Sequence, residues 1–369
     1  MLLIRELGTP GDPRWTSLRR PRLPSQDFCM KEMKDKSNVE LVTFALFAYN
    51  QEKYIREAVQ AAFAQTYEPL EIILSDDCSS DRTFEIMEAM AADYTGPHRV
   101  RAVQTPTNLG VTAHVLLRGS EANGEIVVVA AGDDVSKSER CSEHIPIYKD
   151  PSVMAVTGSY DIIDEKSEVV KLDVRVPVAK DALGLQRAIF KSTKFRYQVI
   201  QGSTASYRKS IFAFPLPPWR ILFSEDNLFN FLIYISGYRV ATISDSLVKY
   251  RMHPDAISNH GVIKRSAEEV ENLARRAAKR EINKLAVFRW IAERQLGLSN
   301  LNIQELERRA RLASIIESWG DKGVFGRSRS FCSSVLLGDF KLAKWKFARL
   351  YGRFPQYQPK KLSVYFRGR

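Results

Sequence analysis

The sequence has no run of 18 or more apolar residues, so no segment reads as a membrane-spanning helix. Its opening, "MLLIRELGTPGDPRWTSLRR", turns charged after four residues. That pattern is not the apolar stretch of a secretion signal, and a cytoplasmic chain is expected. Cysteine is scarce: Cys29, Cys78, Cys141 and Cys332 lie far apart without CxxC spacing, which argues against both a zinc site and a disulfide framework. Glycine is missing where a nicotinamide-dependent dehydrogenase needs it, because the first apolar run passes into "AYNQEKYIREA" with no Gly-rich phosphate turn. Internal repeats and low-complexity tracts are absent. Acid is thin in one region only: residues 261–369 hold 24 Lys+Arg against 10 Asp+Glu, a net of +14, whereas residues 1–260 hold 31 against 33. The overall charge of +12 therefore belongs to the C-terminal third.

What is present is a chain of 369 residues, enough for a full core and for more than one domain. Residues 1–36 are rich in Pro, Arg and Lys and read as a poorly ordered leader. From "VELVTFALFAYN" onward, short apolar runs alternate with amphipathic stretches: "LEIILSDD", "RTFEIMEAMAADY", "RVRAVQT" and "GEIVVVAAGDD". Strand and helix in alternation predict an α/β fold over 37–260, a mixed, mainly parallel sheet with helices on both faces. "SVMAVTGSYDII" predicts a further strand, and "QVIQGSTASYRKSIF" a strand or turn feeding a short helix. "SEDNLFNFLIYISGYRVATI" predicts a helix capped by Ser224, with Glu225 and Asp226 in its first turn and Gly237 at its end. Residues 261–369 predict a basic, mainly helical region.

Three runs end in polar residues at one rim: "FALFAYN" in Tyr49-Asn50, "EIILSDD" in Asp76-Asp77, and "VVVAAGDD" in Asp133-Asp134. Ligands of open α/β sheets gather at the carboxyl ends of strands. A lone Asp76 or Asp77 could simply cap the helix starting near Asp81, but three tips at one edge point to a site. Adjacent like charges at Asp133 and Asp134 repel and resist desolvation. Their natural visitor is a divalent cation carrying a phosphorylated ligand.

These residues resemble a known family. "FALFAYNQEKYIREAVQAAFAQTYEPLEIILSDDCSSDRT" is similar to the opening of family 2 glycosyltransferases of the GT-A fold, "AAGDDV" to their DxD-type metal motif, "SEDNLF" to their "ED" helix start, and "YRMHPDAISN" to a late "YR-x-H" element. The resemblance covers roughly residues 38–260. It implies that Asp77 contacts the nucleotide base, with Phe47, Tyr49, Asn50, Asp76 and Asp133 also on the donor nucleotide. It implies that Asp134 and Asp133 bind Mn²⁺ or Mg²⁺ on the donor diphosphate, with His253 as a further ligand. Asp226 would be the general base, with Glu225 in reserve. Two positions depart from the pattern. Ala113 and His114 stand where many members carry an Arg-Asn pair, and Cys78 replaces the usual Gly, which a thiol tolerates only if the turn does not need positive φ.

The implied activity is metal-dependent, inverting transfer of a sugar from a nucleoside-diphosphate donor, most commonly a UDP-sugar, to a carbohydrate or lipid-linked acceptor in polysaccharide or glycolipid assembly. The basic tail, with "FKLAKWKFARLYGRF" interleaving cationic and aromatic residues, could lie on anionic headgroups at the inner face of the cytoplasmic membrane, or pack on the catalytic region. The alternatives are a catalytically inactive relative and a nucleic-acid-binding protein. The second explains the tail but leaves the sheet-edge acids idle, so no nucleic acid is expected.

Overall fold

The computed structural model describes residues 41–176, 178–179, 197–214, 216–217, 219–253 and 267–295, with Ser314. The expected leader, residues 1–36, and the "FKLAKWKFARLYGRF" segment lie outside the described residues. In chain order the elements are β1 (Val42–Ala48), α1 (Ile55–Phe63), β2 (Leu70–Asp76), α2 (Thr83–Ala92), β3 (Arg99–Gln104), α3 (Val111–Glu121), β4 (Ile126–Ala131), β5 (Val135–Ser136), α4 (Arg140–His144), β6 (Val153–Ile163), β7 (Val169–Val174), β8 (Val178–Ala179), β9 (Tyr197–Gln198), β10 (Ser206–Arg208), α5 (Glu225–Ile235), β11 (Arg239–Arg251) and α6 (Ala267–Gln295). Three short 3₁₀ turns, at Ile145–Lys149, Gly202–Thr204 and Lys209–Ala213, join them.

The nine-stranded sheet has the order β3-β2-β1-β4-β10-β6-β11-β5, with β7 beside β6. Strands β3, β2, β1 and β4 are mutually parallel. The three-residue β10 then runs antiparallel between β4 and β6, and β11 returns parallel to β6. The chain leaves β1 toward β2 and β3 on one side and comes back to β4 on the other. That reversal opens a crevice above the carboxyl ends of β1 and β4, where α/β sheets bind ligands.

The continuous apolar runs follow from burial on both faces. Along β1, Val42, Phe44, Leu46 and Ala48 join one core with α1, α2 and α4, while Ala45 and Phe47 join a second with α3, α5 and α6. Phe44, Ile72 and Val128 are fully buried, each worth ~1.5–3 kcal/mol against exposure. In α1, Ile55, Ala58, Val59 and Ala62 are buried, the one-sided stripe of a surface helix. Helix α5 buries Leu228, Phe229 and Leu232, and Gly237, at φ 74, turns the chain toward β11. Helix α6 packs on the same core: Phe288 stacks on Phe231 at 4.0 Å, and Trp290 meets Trp219 edge-on at 6.2 Å. Arg276, Lys279 and Arg280 face outward from it. Among the described residues no helix is long and apolar enough to cross a membrane.

Candidate active site

The two acids ending β2 have different surroundings. Asp76 is fully buried; its Oδ2 accepts the Ser79 N–H at 2.8 Å and the Gln104 amide at 2.9 Å, and its Oδ1 accepts the Ser79 hydroxyl. Asp77 reaches the other way. Its carboxylate accepts the backbone N–H of Leu109 at 2.9 Å and of Gly110 at 2.8 Å, plus the Thr105 hydroxyl at 3.0 Å. Neither acid caps α2, whose first turn is served by Asp81 through the Thr83 N–H at 3.0 Å. Between them and that helix, Cys78 sits at φ 62. The turn does need positive φ, against the condition set for a thiol there, and the hydrogen bonds of Asp76 and Asn50 hold it. Asn50, itself at φ 52, accepts the Ser80 N–H at its Oδ1 at 2.8 Å and donates its own N–H to Ser79 Oγ at 2.8 Å. The tips of β1 and β2 are thereby laced together. Tyr49 is 48% exposed at this rim, whereas Phe47 is buried and meets the His114 ring edge-on at 5.0 Å. His114 lies beneath, 2.6 Å from Ser75 Oγ. Burial pushes its imidazole down to about 4, against the pull of Asp77.

At the end of β4, Asp133 and Asp134 also part company. Asp133 Oδ2 lies 3.1 Å from His253 Nε2, the acid half-buried and the histidine buried. Asp134 is buried, and its Oδ1 accepts the Arg251 N–H at 2.9 Å. Burial first, then the charge of Asp133, pushes the Asp134 carboxyl well above its ordinary value; the Arg251 hydrogen bond and the buried Arg140 cation pull the other way. Arg251, 1% exposed, is the hub of this region. Its guanidinium donates to the Asp133 carbonyl at 2.8 Å, the Asp164 carbonyl at 3.1 Å, Ser167 Oγ at 2.9 Å and Glu57 Oε2 at 2.5 Å, and it lies 4.9 Å from the Tyr54 ring centroid. The same Tyr54 ring is 4.8 Å from that of His253. Loop, hairpin and α1 are thus fixed around one cation.

The third group stands at the start of α5. Asp226 Oδ1 accepts the Ser224 hydroxyl, the Asn227 N–H at 2.6 Å and the Asn227 amide at 3.0 Å. Glu225 is buried against Gly202: a methyl group at 202 would stand 2.5 Å from Glu225 Oε1 and 3.6 Å from the Asp226 Cβ, so only glycine admits this approach. Burial, then the Asp226 charge, pushes the Glu225 carboxyl up to about 8. The Gly202–Thr204 turn also places Ser203 against Asp134. Through it, the β4 tip and the α5 start share one neighbourhood at the carboxyl edge of the sheet.

A divalent cation is the implied cofactor. Among the described residues no group of three or more His, Cys, Asp or Glu side chains is arranged to hold a metal ion. Two groups do fit. Octahedral ligands about 2.1 Å from Mg²⁺ stand ~3.0 Å apart when adjacent, and Asp133 Oδ2 and His253 Nε2 are 3.1 Å apart. Asp134 Oδ2 and His253 Nδ1 are buried without hydrogen-bond partners among the described residues, polar capacity suited to a nearby cation. Asp133 and His253 are the residues that would hold such an ion, with phosphate and water left to supply the remaining ligands. Arg251 and Glu57 were assigned no role from sequence. Arg251 stands inside the "YRMH" string, but its partners lie 84 to 194 residues away, beyond any local pattern.

Residues 43–214 match Glycosyl transferase family 2. Curated relatives include an uncharacterized glycosyltransferase of Nostoc sp., 23% identical over 219 residues, 58% of this chain and 64% of the relative. An uncharacterized protein of Mycobacterium tuberculosis is 43% identical over 88 residues, 24% of this chain and 25% of the relative. Glycosyltransferase GlyG of Streptococcus pneumoniae is 25% identical over 234 residues, 59% and 73%. The chain thus spans less than two thirds of the first two. Similar solved structures include the mannosyltransferase PcManGT from Pyrobaculum calidifontis in complex with GDP-Man and Mn²⁺, with a TM-score of 0.49 at 15% identity over 96% of this chain and 89% of that one. S. aureus TarS 1-349 in complex with UDP-GlcNAc has a TM-score of 0.47 at 15% identity, over 84% and 92%. Residues 43–214, on a mixed, mainly parallel sheet, thus carry the features of glycosyl transferase family 2.

Proposed function

We propose that the protein is a metal-dependent, inverting glycosyltransferase that moves a sugar from a nucleoside-diphosphate donor, a UDP-sugar first among them, to a hydroxyl of a carbohydrate or lipid-linked acceptor. The observation that carries this reading is the Asp133–His253 pair, 3.1 Å apart at the mouth of the β1/β4 crevice. A bound Mn²⁺ or Mg²⁺ there would act as a Lewis acid toward the diphosphate on which negative charge builds. The chain's own residues do the rest. Asp77 and the loop it grips frame the base side of the crevice, with Tyr49 offering an exposed ring and Asn50 and Asp76 holding the loops in register. Arg251 holds Asp133 through its carbonyl and Asp134 through its carboxylate, so the loop carrying the cation ligands is rigid before the donor arrives.

An attacking hydroxyl has to lose its proton as it bonds to the anomeric carbon, and a positioned carboxylate contributes ~10²–10⁴-fold to such a step. Asp226 suits this role. One of its oxygens is fixed by Ser224 and Asn227, and no hydrogen bond holds the other among the described residues. Glu225, in reserve, has burial pushing its carboxyl up to about 8, so it carries a proton near neutral pH and props the turn at Gly202. Attack opposite the departing diphosphate inverts the anomeric centre. Polysaccharide or glycolipid assembly is the process proposed, with peripheral membrane contact supported by the outward Arg276, Lys279 and Arg280 of α6. The test is nucleoside-diphosphate release from UDP-, GDP- and dTDP-sugars with Mn²⁺ and mixed oligosaccharide and lipid-linked acceptors. Release with at least one donor, lost in Asp133→Ala, is expected; no release from any donor contradicts the reading.

A further inference from the structure

The segment 219–223 leads into the Glu225–Asp226 pair and is held by two helices. From α6, Asn283 Oδ1 accepts the Leu222 N–H at 2.8 Å, while its Nδ2 donates to the Arg220 carbonyl at 2.9 Å; one amide satisfies both strand-like groups. The Phe288 ring meets Phe223 edge-on at 5.5 Å. From α3, the Thr112 hydroxyl donates to the Phe223 carbonyl. Fixed in this way, the segment lays the Arg220 guanidinium over Gly110, where a methyl group would stand 3.1 Å from Arg220 Nη2 and 3.9 Å from Nε. Gly110 is at φ 82, and its N–H is one that Asp77 accepts. The glycine is needed for its backbone conformation, and the cation lies directly over it.

Among the described residues, the arginines near the crevice are mostly committed to protein partners. Arg251 and Arg140 are buried and donate to protein oxygens, and Arg118 donates to Ser75 and pairs with Glu121. Arg220 is exposed, and among the described residues its guanidinium has no carboxylate partner. A nucleotide whose base lies at Asp77 carries its phosphates one ribose farther on, a span comparable to an extended arginine side chain, and a guanidinium fork matches phosphate oxygens.

We propose that Arg220 is a donor-binding residue that contacts the phosphates of the nucleotide, and that Asn283 of α6 is the positioning residue that holds it at Gly110. The proposal rests on the nucleotide-donor reading above. It makes a helix outside the matched stretch 43–214 part of the binding site.

The experiment is calorimetric titration of the full chain with UDP, GDP, CDP, ADP and dTDP in Mn²⁺, then with the nucleoside of the tightest of them. For Arg220→Ala the diphosphate is expected to bind about 10- to 100-fold more weakly, as for a lost charge-assisted hydrogen bond, while the nucleoside affinity stays as in the wild type. Arg220→Lys should recover part of the loss. Asn283→Ala should weaken diphosphate binding in the wild-type background and have no further effect on it in Arg220→Ala, the coupling expected of a group acting through Arg220. Unchanged diphosphate affinity in Arg220→Ala, or equal loss for diphosphate and nucleoside, overturns the proposal even if Asn283→Ala fails to fold. If the wild type binds none of the five diphosphates, the donor reading itself falls.

Discussion

Replacing Glu225 with Gln should remove a pH dependence of stability that the fold builds in. The carboxyl is buried against Gly202 beside a second acid, and these two causes push it from its ordinary 4.5 to about 8. The folded protein therefore holds a proton that the unfolded chain has released between those two values. A raised carboxyl pKa contributes stability that is fully present below about 4.5 and is lost as pH rises to about 8. The slope for one proton is ~1.4 kcal/mol per pH unit, about 2 degrees of Tm per unit for a chain of this size. Glutamine keeps the shape and the hydrogen-bonding capacity but cannot ionise. Thermal unfolding of wild type and Glu225→Gln should be followed in parallel from pH 5 to pH 9. The variant is expected to gain on the wild type steadily with rising pH until about 8, after which the difference levels off. A difference that is flat from pH 5 to pH 8 would mean that Glu225 ionises normally, and the burial argument at the α5 start would be wrong.

Further outcomes concern the chemistry and the scaffold. Asp226→Asn should retain nucleotide affinity and lose ~10²–10⁴-fold in turnover, read by calorimetry beside a transfer assay; near-wild-type turnover would end the base assignment. Transfer should vanish in EDTA and return with Mn²⁺ or Mg²⁺, and His253→Ala should raise the metal concentration needed for half-activity; chelator-resistant turnover would remove the cation from the account. Arg251→Met should cost about 2–3 kcal/mol by urea unfolding, because the carbonyls of Asp133 and Asp164 lose their donor; a loss under 1 kcal/mol would show that the hub is dispensable.

Strands β1, β2 and β4 were legible because burial on both sheet faces forces continuous apolar runs, and their polar tips marked the edge where the site lies. Helix α1 showed itself through its one-sided stripe, and α5 through its acids and the glycine that follows it. The short β10 was not legible as a strand: three residues, Ser206–Arg208, carry no periodicity, and their place is set by pairing with β4 and β6 from distant parts of the chain. The division of labour within the acid pairs was also hidden. Asp76 and Asp77 are neighbours with the same side chain, and only the loop at 105–110 shows that one shapes a turn while the other grips a backbone. Asp133 and Asp134 differ because the Arg251 N–H reaches one and His253 the other. Cys78 was tied to a condition that the turn does not meet, since local hydrogen bonds sustain a positive φ there without glycine. Asn283 gave no signal, being one polar residue on a helix whose contact lies 61 residues back.

The most direct test of the central claim is calorimetric binding of nucleoside diphosphates to the wild type and to Asp133→Ala, each with Mn²⁺ and with EDTA. The account predicts that the wild type binds at least one nucleoside diphosphate with Mn²⁺ and loses most of that affinity in EDTA, and that Asp133→Ala shows no gain from the metal. Binding that is equal in Mn²⁺ and EDTA, or unchanged by Asp133→Ala, would contradict it.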